Sequence, residues 1–176
     1  MHAPKLALVI ILSALATATN YILIGLPNVV LMDFIVFIGG FLLGPVSGAL
    51  IGVLSWSAYG VLNPYGFVPS IWVATMLCES VYGIVGGILG RSWKRDQYEA
   101  AWVSSSILFA FVGFLLTMTY DVLTNIVYSI TFDVPISVVL IVGIPFTVVH
   151  GVSNAAIFGL GSLPAARTAT RLLGDK

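Results

Sequence analysis

Gly39-Gly40-Phe41-Leu42-Leu43-Gly44-Pro45-Val46-Ser47-Gly48-Ala49-Leu50-Ile51-Gly52 is the stretch that decides the fold. It holds no charged side chain, and Gly44-Pro45 in its middle breaks a helix. Glycines at 40, 44, 48 and 52 lie four apart, which places small residues along one helical stripe where backbones approach closely. The same device recurs at Gly83, Gly87 and Gly90, and at Gly151, Ala155 and Gly159. Such stripes describe a tight helix bundle and no chemistry.

Outward from this stretch the whole chain is apolar. Of its 176 residues 59% are hydrophobic and 8% charged, with mean hydropathy +1.08. A soluble fold covers its surface with about a quarter charged residues, so lipid is the solvent here. Seven Lys and Arg balance seven Asp and Glu, which removes the basic footprint of a nucleic-acid binder. The apolar content excludes intrinsic disorder. Cys78 is the one cysteine, so no internal disulfide forms.

A spanning helix needs about 20 mostly apolar residues to cross ~30 Å of hydrocarbon. The pattern predicts six, at residues 6–24, 29–43, 46–62, 71–89, 101–120 and 138–160, in a single membrane domain covering 1–176. The fold expected is an all-α integral membrane protein, a bundle of six transmembrane helices, multi-pass in the cell membrane. The breakers are Gly25 and Pro27, Gly44 and Pro45, Asn63, Pro64 and Gly66, the polar run from Arg91 to Glu99, and Asp133 with Pro135. Lys5 before an apolar run, with Ala14-Leu15-Ala16 inside it, imitates a secretory signal. The run continues to Ile24, past that site, so the segment reads as a span that is kept.

Charge placement sets the expected orientation. Lys5 precedes the first span, Arg91, Lys94 and Arg95 separate the fourth from the fifth, and Arg167, Arg171 and Lys176 follow the sixth. With six spans all of these fall on one face, and the positive-inside bias makes both termini cytoplasmic.

Carboxylates inside a bilayer cost about 2.5 to 3.5 kcal/mol each on insertion scales and usually mark function. Asp33 lies early in the second span, Glu79 halfway along the fourth and Asp121 at the outer end of the fifth, and no Lys or Arg within the spans neutralises them. Thr117, Asp121, Thr124, Asn125 and Tyr128 share one face if the fifth helix continues past Tyr120, and Trp72, Thr75, Glu79 and Tyr82 form a stripe on the fourth. Asn20, Tyr21, Asn28, Trp56, Tyr59, Asn63, Tyr65 and Phe67 map to the same outer half or its loops. The reading is an outward-opening pocket with Asp33, Asn63, Tyr65, Trp72, Glu79, Asp121, Asn125 and Tyr128 as candidate substrate-binding residues. Against it stand an interfacial Trp and Tyr belt and buried structural hydrogen bonds. On the sixth span His150, with Thr147 and Asn154, is read as bonding between helices ahead of contacting a ligand.

No phosphate-binding loop, no Gly-x-Ser-x-Gly elbow and no His-Glu-x-x-His pair occurs. One Cys and two distant His residues make a catalytic metal a poor fit. No enzyme activity, no cofactor and no metal is therefore expected.

With these features the chain resembles the substrate-binding S component of an energy-coupling factor (ECF) transporter, an ABC-type system for vitamin uptake. The resemblance rests on Ala14-x-x-x-Ala18, on Asp33 through Leu43-Gly44-Pro45 to Gly48 and Gly52, and on Asp121-x-x-Thr124-Asn125. It implies a small vitamin substrate, an outward pocket, and partnership with a transmembrane T component and two ATPases. It also implies that Ala14 and Ala18 form the partner interface, and that the whole subunit topples in the membrane to release substrate inside. Met1-His2 matches the start of nickel and cobalt members of related systems, but a cytoplasmic terminus makes that similarity accidental.

The candidate pocket has acidic, amide and aromatic groups and no basic one, so a neutral or cationic ring compound, thiamine-like, is favoured over biotin or pantothenate. A corrinoid ranks lower. Two other classes remain open: a stand-alone proton-coupled secondary transporter using Glu79 and Asp121, which the lack of a convincing inverted repeat disfavours, and a structural membrane subunit that binds nothing small.

Overall fold

The computed structural model describes residues 3–64, 66–92 and 102–173, with side chains through residue 168. Tyr65, Lys94, Arg95, Lys176 and the side chain of Arg171 lie outside the described residues. Among the described residues six helices follow one another: α1 Ala3–Ile22, α2 Met32–Leu43, α3 Pro45–Val61, α4 Pro69–Ser92, α5 Trp102–Phe132 and α6 Ile136–Leu173. There is no strand among the described residues. α1, α4, α5 and α6 are long and apolar enough to cross a membrane. α2 with 12 residues and α3 with 17 rise only about 18 and 26 Å.

The differences from the expected boundaries have local causes. α2 begins at Met32 because the chain before it is a run of turns, with Leu26 N–H bonded to the Leu23 carbonyl and Val29 N–H to that of Leu26. There Pro27 withdraws a donor, and Asn28 sits at φ 55°, a left-handed geometry that Asn tolerates. α5 does not stop at Tyr120 but runs to Phe132, since nothing in between breaks a helix. Its end is a cap: Asp133 is left-handed at φ 53°, Val134 N–H reaches back to the Ser129 carbonyl at 3.1 Å, and Ser129 Oγ donates to the Val134 carbonyl at 2.6 Å. α6 extends beyond residue 160 to Leu173 and passes through Pro145 and Pro164, a tolerance common where neighbouring helices support the chain.

Gly44 separates two helices and does not continue one stripe. At φ 90° it takes a conformation that side chains rarely adopt, closes α2 by bonding its N–H to the Gly40 carbonyl at 2.7 Å, and hands over to Pro45 at the first position of α3. The chain thereby reverses, and Gly40 and Gly48 meet from opposite sides of the turn: a Cβ on Gly48 would lie 2.6 Å from Gly40 Cα. α4 inserts into this hairpin glycine first. Gly83 abuts the backbone of Gly48, Gly86 that of Phe37, Gly87 that of Pro45 and Gly90 that of Phe41.

Contacts along the helices give their directions. Ser13 and Ser55, then Tyr21 and Leu62, pair in register, so α1 and α3 run the same way. Gly87 faces Pro45 while Trp72 faces Gly60, so α4 runs opposite to α3. Gly113 faces Phe158, Thr117 bonds Asn154 and Asp121 bonds His150, so α5 and α6 are antiparallel. Lys5 at the start of α1, Arg91 at the end of α4 and Arg167, whose guanidinium stacks 4.4 Å from the Trp102 ring at the start of α5, accordingly gather at one end. The loops at 23–31, at 62–64 and 66–68, and at 133–135 form the other.

Two groups of helices result. α1 to α4 are fused by glycine contacts, and α5 and α6 pack as a pair, with Gly151 against Phe114 and Met118 and Gly159 against Ala110. Along the seam between the groups, Phe37 packs on Phe109 and Phe158, with ring centroids 6.0 and 5.0 Å apart. One turn closer to the loop end this apolar seam gives way to buried polar side chains.

Candidate functional site

Asp33 is the second residue of α2, where the unpaired N–H groups and positive dipole end of the helix favour a carboxylate. Position 33 therefore suits an acid electrostatically even though it is only 3% exposed. Across the seam, Asp33 Oδ2 accepts from His150 Nε2 at 2.9 Å and from Asn154 Nδ2 at 2.7 Å, both on α6. One helical turn apart, these two residues share the face of α6 turned to the interior. The second ring nitrogen of His150, Nδ1, lies 2.9 Å from Asp121 Oδ1 on α5. One imidazole thus ties three helices together through two carboxylates.

Asn154 also donates to Thr117 Oγ1 at 2.7 Å; Thr117 accepts a further hydrogen bond from Tyr82 OH on α4 at 3.0 Å and donates to the Gly113 carbonyl at 2.8 Å. Both amide hydrogens of Asn154 point at acceptors, and the flipped amide would set its oxygen against the Asp33 carboxylate, so the network fixes its orientation. Glu79 on α4 is fully buried beside Asp33. Its Oε2 accepts from Trp56 Nε1 on α3 at 3.1 Å. Aromatic rings wall this side: Trp56 lies 6.5 Å from Tyr120, and Tyr120 6.2 Å from Tyr82 and 6.0 Å edge-on from His150.

Three buried oxygens of this cluster have no hydrogen-bond partner: Glu79 Oε1, Asp121 Oδ2 and Asn154 Oδ1. All are acceptors. Buried polar atoms are normally satisfied, so the cluster has acceptor capacity in excess of its donors. Among the described residues no Lys or Arg side chain enters it, and no group of His, Cys, Asp and Glu is arranged to hold a metal ion. Its chemistry suits donor-rich or positively charged partners. A shallow groove on the α4 and α5 seam, with room for about one water molecule, touches Tyr82, Tyr120 and Cys78 from outside.

The structure brings Asp33, Glu79 and Asp121 into one cluster from three separate helices. Trp72 stands one layer away, donating from Nε1 to the Trp56 carbonyl at 3.1 Å and packing on Gly60. Asn63 is in the loop after α3, half-buried. Asn125 lies against Gly143 of α6, and Tyr128 is exposed and packs on Phe132 with ring centroids 4.6 Å apart. The polar face of α5 therefore divides, Thr117 and Asp121 turning into the bundle and Asn125 and Tyr128 lying beyond it toward the loop end. Tyr65 falls outside the described residues. His150 and Asn154 do bond between helices, as their stripe on α6 suggested. Trp56 and Tyr120 complete the cluster without any spacing signal that singles them out.

The family model for the substrate-specific component of ECF transporters matches residues 5–160. The chain belongs to that family. Comparison with curated proteins and with solved structures gave no match. This S component is thus the substrate-binding part of a transporter and is expected to work with a T component and ATPases. Ala14 and Ala18, on its first helix, are both exposed on the outside of the bundle beside Ile11 and Leu15.

Proposed function

We propose that this S component captures a small neutral or cationic ring compound, thiamine-like in its chemistry, and delivers it inward with a T component and two ATPases. The observation that carries the reading is the cluster of Asp33, Glu79 and Asp121 inside an apolar bundle, with unpartnered acceptor oxygens and no Lys or Arg among the described residues that reach it. A carboxylate-bearing vitamin would meet like charge there and would lack the donors it needs. The aromatic rings of Trp56, Tyr120 and Tyr82 suit a flat or cationic ring.

In this reading both termini are cytoplasmic, because the described basic residues Lys5, Arg91 and Arg167 share one end, and the cluster lies in the outward half. The flat, exposed Ala14 and Ala18 surface is where the T component docks, since small residues one turn apart let another helix approach closely. Asn63, Trp72, Asn125 and Tyr128, which lie toward the loop end from the carboxylates, are the residues a substrate would pass on its way in.

Tryptophan fluorescence of the purified protein, titrated with thiamine and separately with biotin, tests the substrate class. Thiamine is expected to quench saturably and biotin to have no effect, and Glu79→Gln is expected to weaken thiamine at least about tenfold. Saturable biotin binding with no response to thiamine would overturn the reading.

A further inference from the structure

The tie across the seam has an unusual proton count. A neutral imidazole carries one N–H and so donates from one ring nitrogen only. His150 has a carboxylate oxygen at 2.9 Å on each nitrogen. Two hydrogen bonds of that geometry need a proton in each, so the Asp33, His150 and Asp121 chain holds one proton more than a neutral imidazole between two carboxylates. Imidazole is more basic than a carboxylate, so that proton makes His150 the cation of the cluster. Every other titratable group facing it is an acid or a phenol: Asp33 from α2, Glu79 from α4, and Asp121 and Tyr120 from α5.

No member of this cluster is more than 8% exposed, and His150 already occupies one oxygen each of Asp33 and Asp121. Yet Glu79 Oε1, on a fully buried side chain, and Asp121 Oδ2, on one 11% exposed, remain without a donor. The site is enclosed around its own positive charge and still short of donors. A cation that binds Asp33 and Asp121 competes with the imidazolium for the same carboxylates, and keeping both there would set two like charges side by side in a low-dielectric interior. Exchange avoids that cost: one positive charge enters, one proton leaves, and the net charge of the buried cluster is unchanged.

We propose that the Asp33, His150 and Asp121 bridge is a cation-exchange latch, in which an entering organic cation takes over the carboxylates and His150 gives up one proton to solvent. The inference rests on the cationic-substrate reading above and adds a coupling to it. Since the bridge also ties α2 to α5 and α6, release of His150 removes that tie between them. The proton does not drive transport; it reports and gates occupancy.

The test is calorimetric binding of thiamine to the purified S component in buffers of different ionisation enthalpy, over pH 5.5 to 8.5. Thiamine carries a permanent thiazolium charge, so above the range in which its pyrimidine titrates any proton counted comes from the protein. One proton released per thiamine is expected, with affinity rising by up to about tenfold per pH unit while the free bridge is protonated. His150→Gln is expected to abolish both the proton release and the pH slope. The buffer series on the unsubstituted protein decides the matter even if that variant misfolds. Thiamine binding with no proton release would overturn the latch and leave the substrate reading standing, whereas no binding of thiamine at all would overturn both.

Discussion

Replacing Gly83 by alanine tests whether close backbone approach holds the first four helices together. The added Cβ would lie 2.6 Å from Gly48 Cα and closer still to the Gly48 carbonyl group. Carbon atoms in good contact are about 3.5 to 4.0 Å apart, so α3 and α4 must separate by about 1 Å. Overpacking costs about 1 to 3 kcal/mol, and the upper end applies because the obstacle is backbone on a neighbouring helix and not a side chain that can swing away. Alanine returns about 1 kcal/mol of helix propensity, leaving a net loss of about 2 kcal/mol. At about 2 to 4 °C per kcal/mol for a chain of this length, the midpoint should fall by about 4 to 8 °C. The assay is thermal unfolding in mild detergent, followed by retention of the monomer on gel filtration. Gly25→Ala is the control: nothing lies within 4 Å of a Cβ there, and its midpoint should move by less than about 2 °C. The site should respond too, because Glu79 is one turn from Gly83 and its backbone abuts Gly52, so separation pulls Glu79 away from Trp56. A Gly83→Ala protein as stable as the unsubstituted chain would refute the packing argument.

Tyr82→Phe removes the hydrogen bond to Thr117, which keeps its bonds to Gly113 and Asn154, and should cost only about 1 kcal/mol in the same unfolding assay. Asp33→Ala strips one acceptor from both His150 and Asn154 and should cost about 3 kcal/mol or more, since it breaks a buried charged pair. Leucine at both Ala14 and Ala18 adds bulk to an exposed face; the midpoint and thiamine titration should stay as they were while co-purification of a co-expressed T component is lost.

The apolar spans and their carboxylates are legible in the sequence because both are one-dimensional signals: a long hydrophobic run announces a helix, and an acid within it stands out. Asp33, Glu79 and Asp121 are found this way, and they do converge. The ends of α5 and α6 are harder to read, because a polar residue such as Asp121 or Arg167 does not end a helix and a proline such as Pro145 or Pro164 within a bundle need not. The glycines at 40 and 48 keep the packing role their spacing suggests, but on two helices that meet across Gly44 and not along one. What periodicity cannot give is which stripes face each other. That His150 places both its nitrogens on acids from different helices is a tertiary fact. So is the division of the α5 polar face between Asp121 inside and Tyr128 outside.

The substrate class is decided by mass spectrometry of the small molecules that the protein retains after purification in mild detergent. One equivalent of a cationic or neutral ring compound, lost on Glu79→Gln, is the predicted result. Retention of a carboxylate-bearing vitamin such as biotin or pantothenate, unaffected by that substitution, would contradict the account.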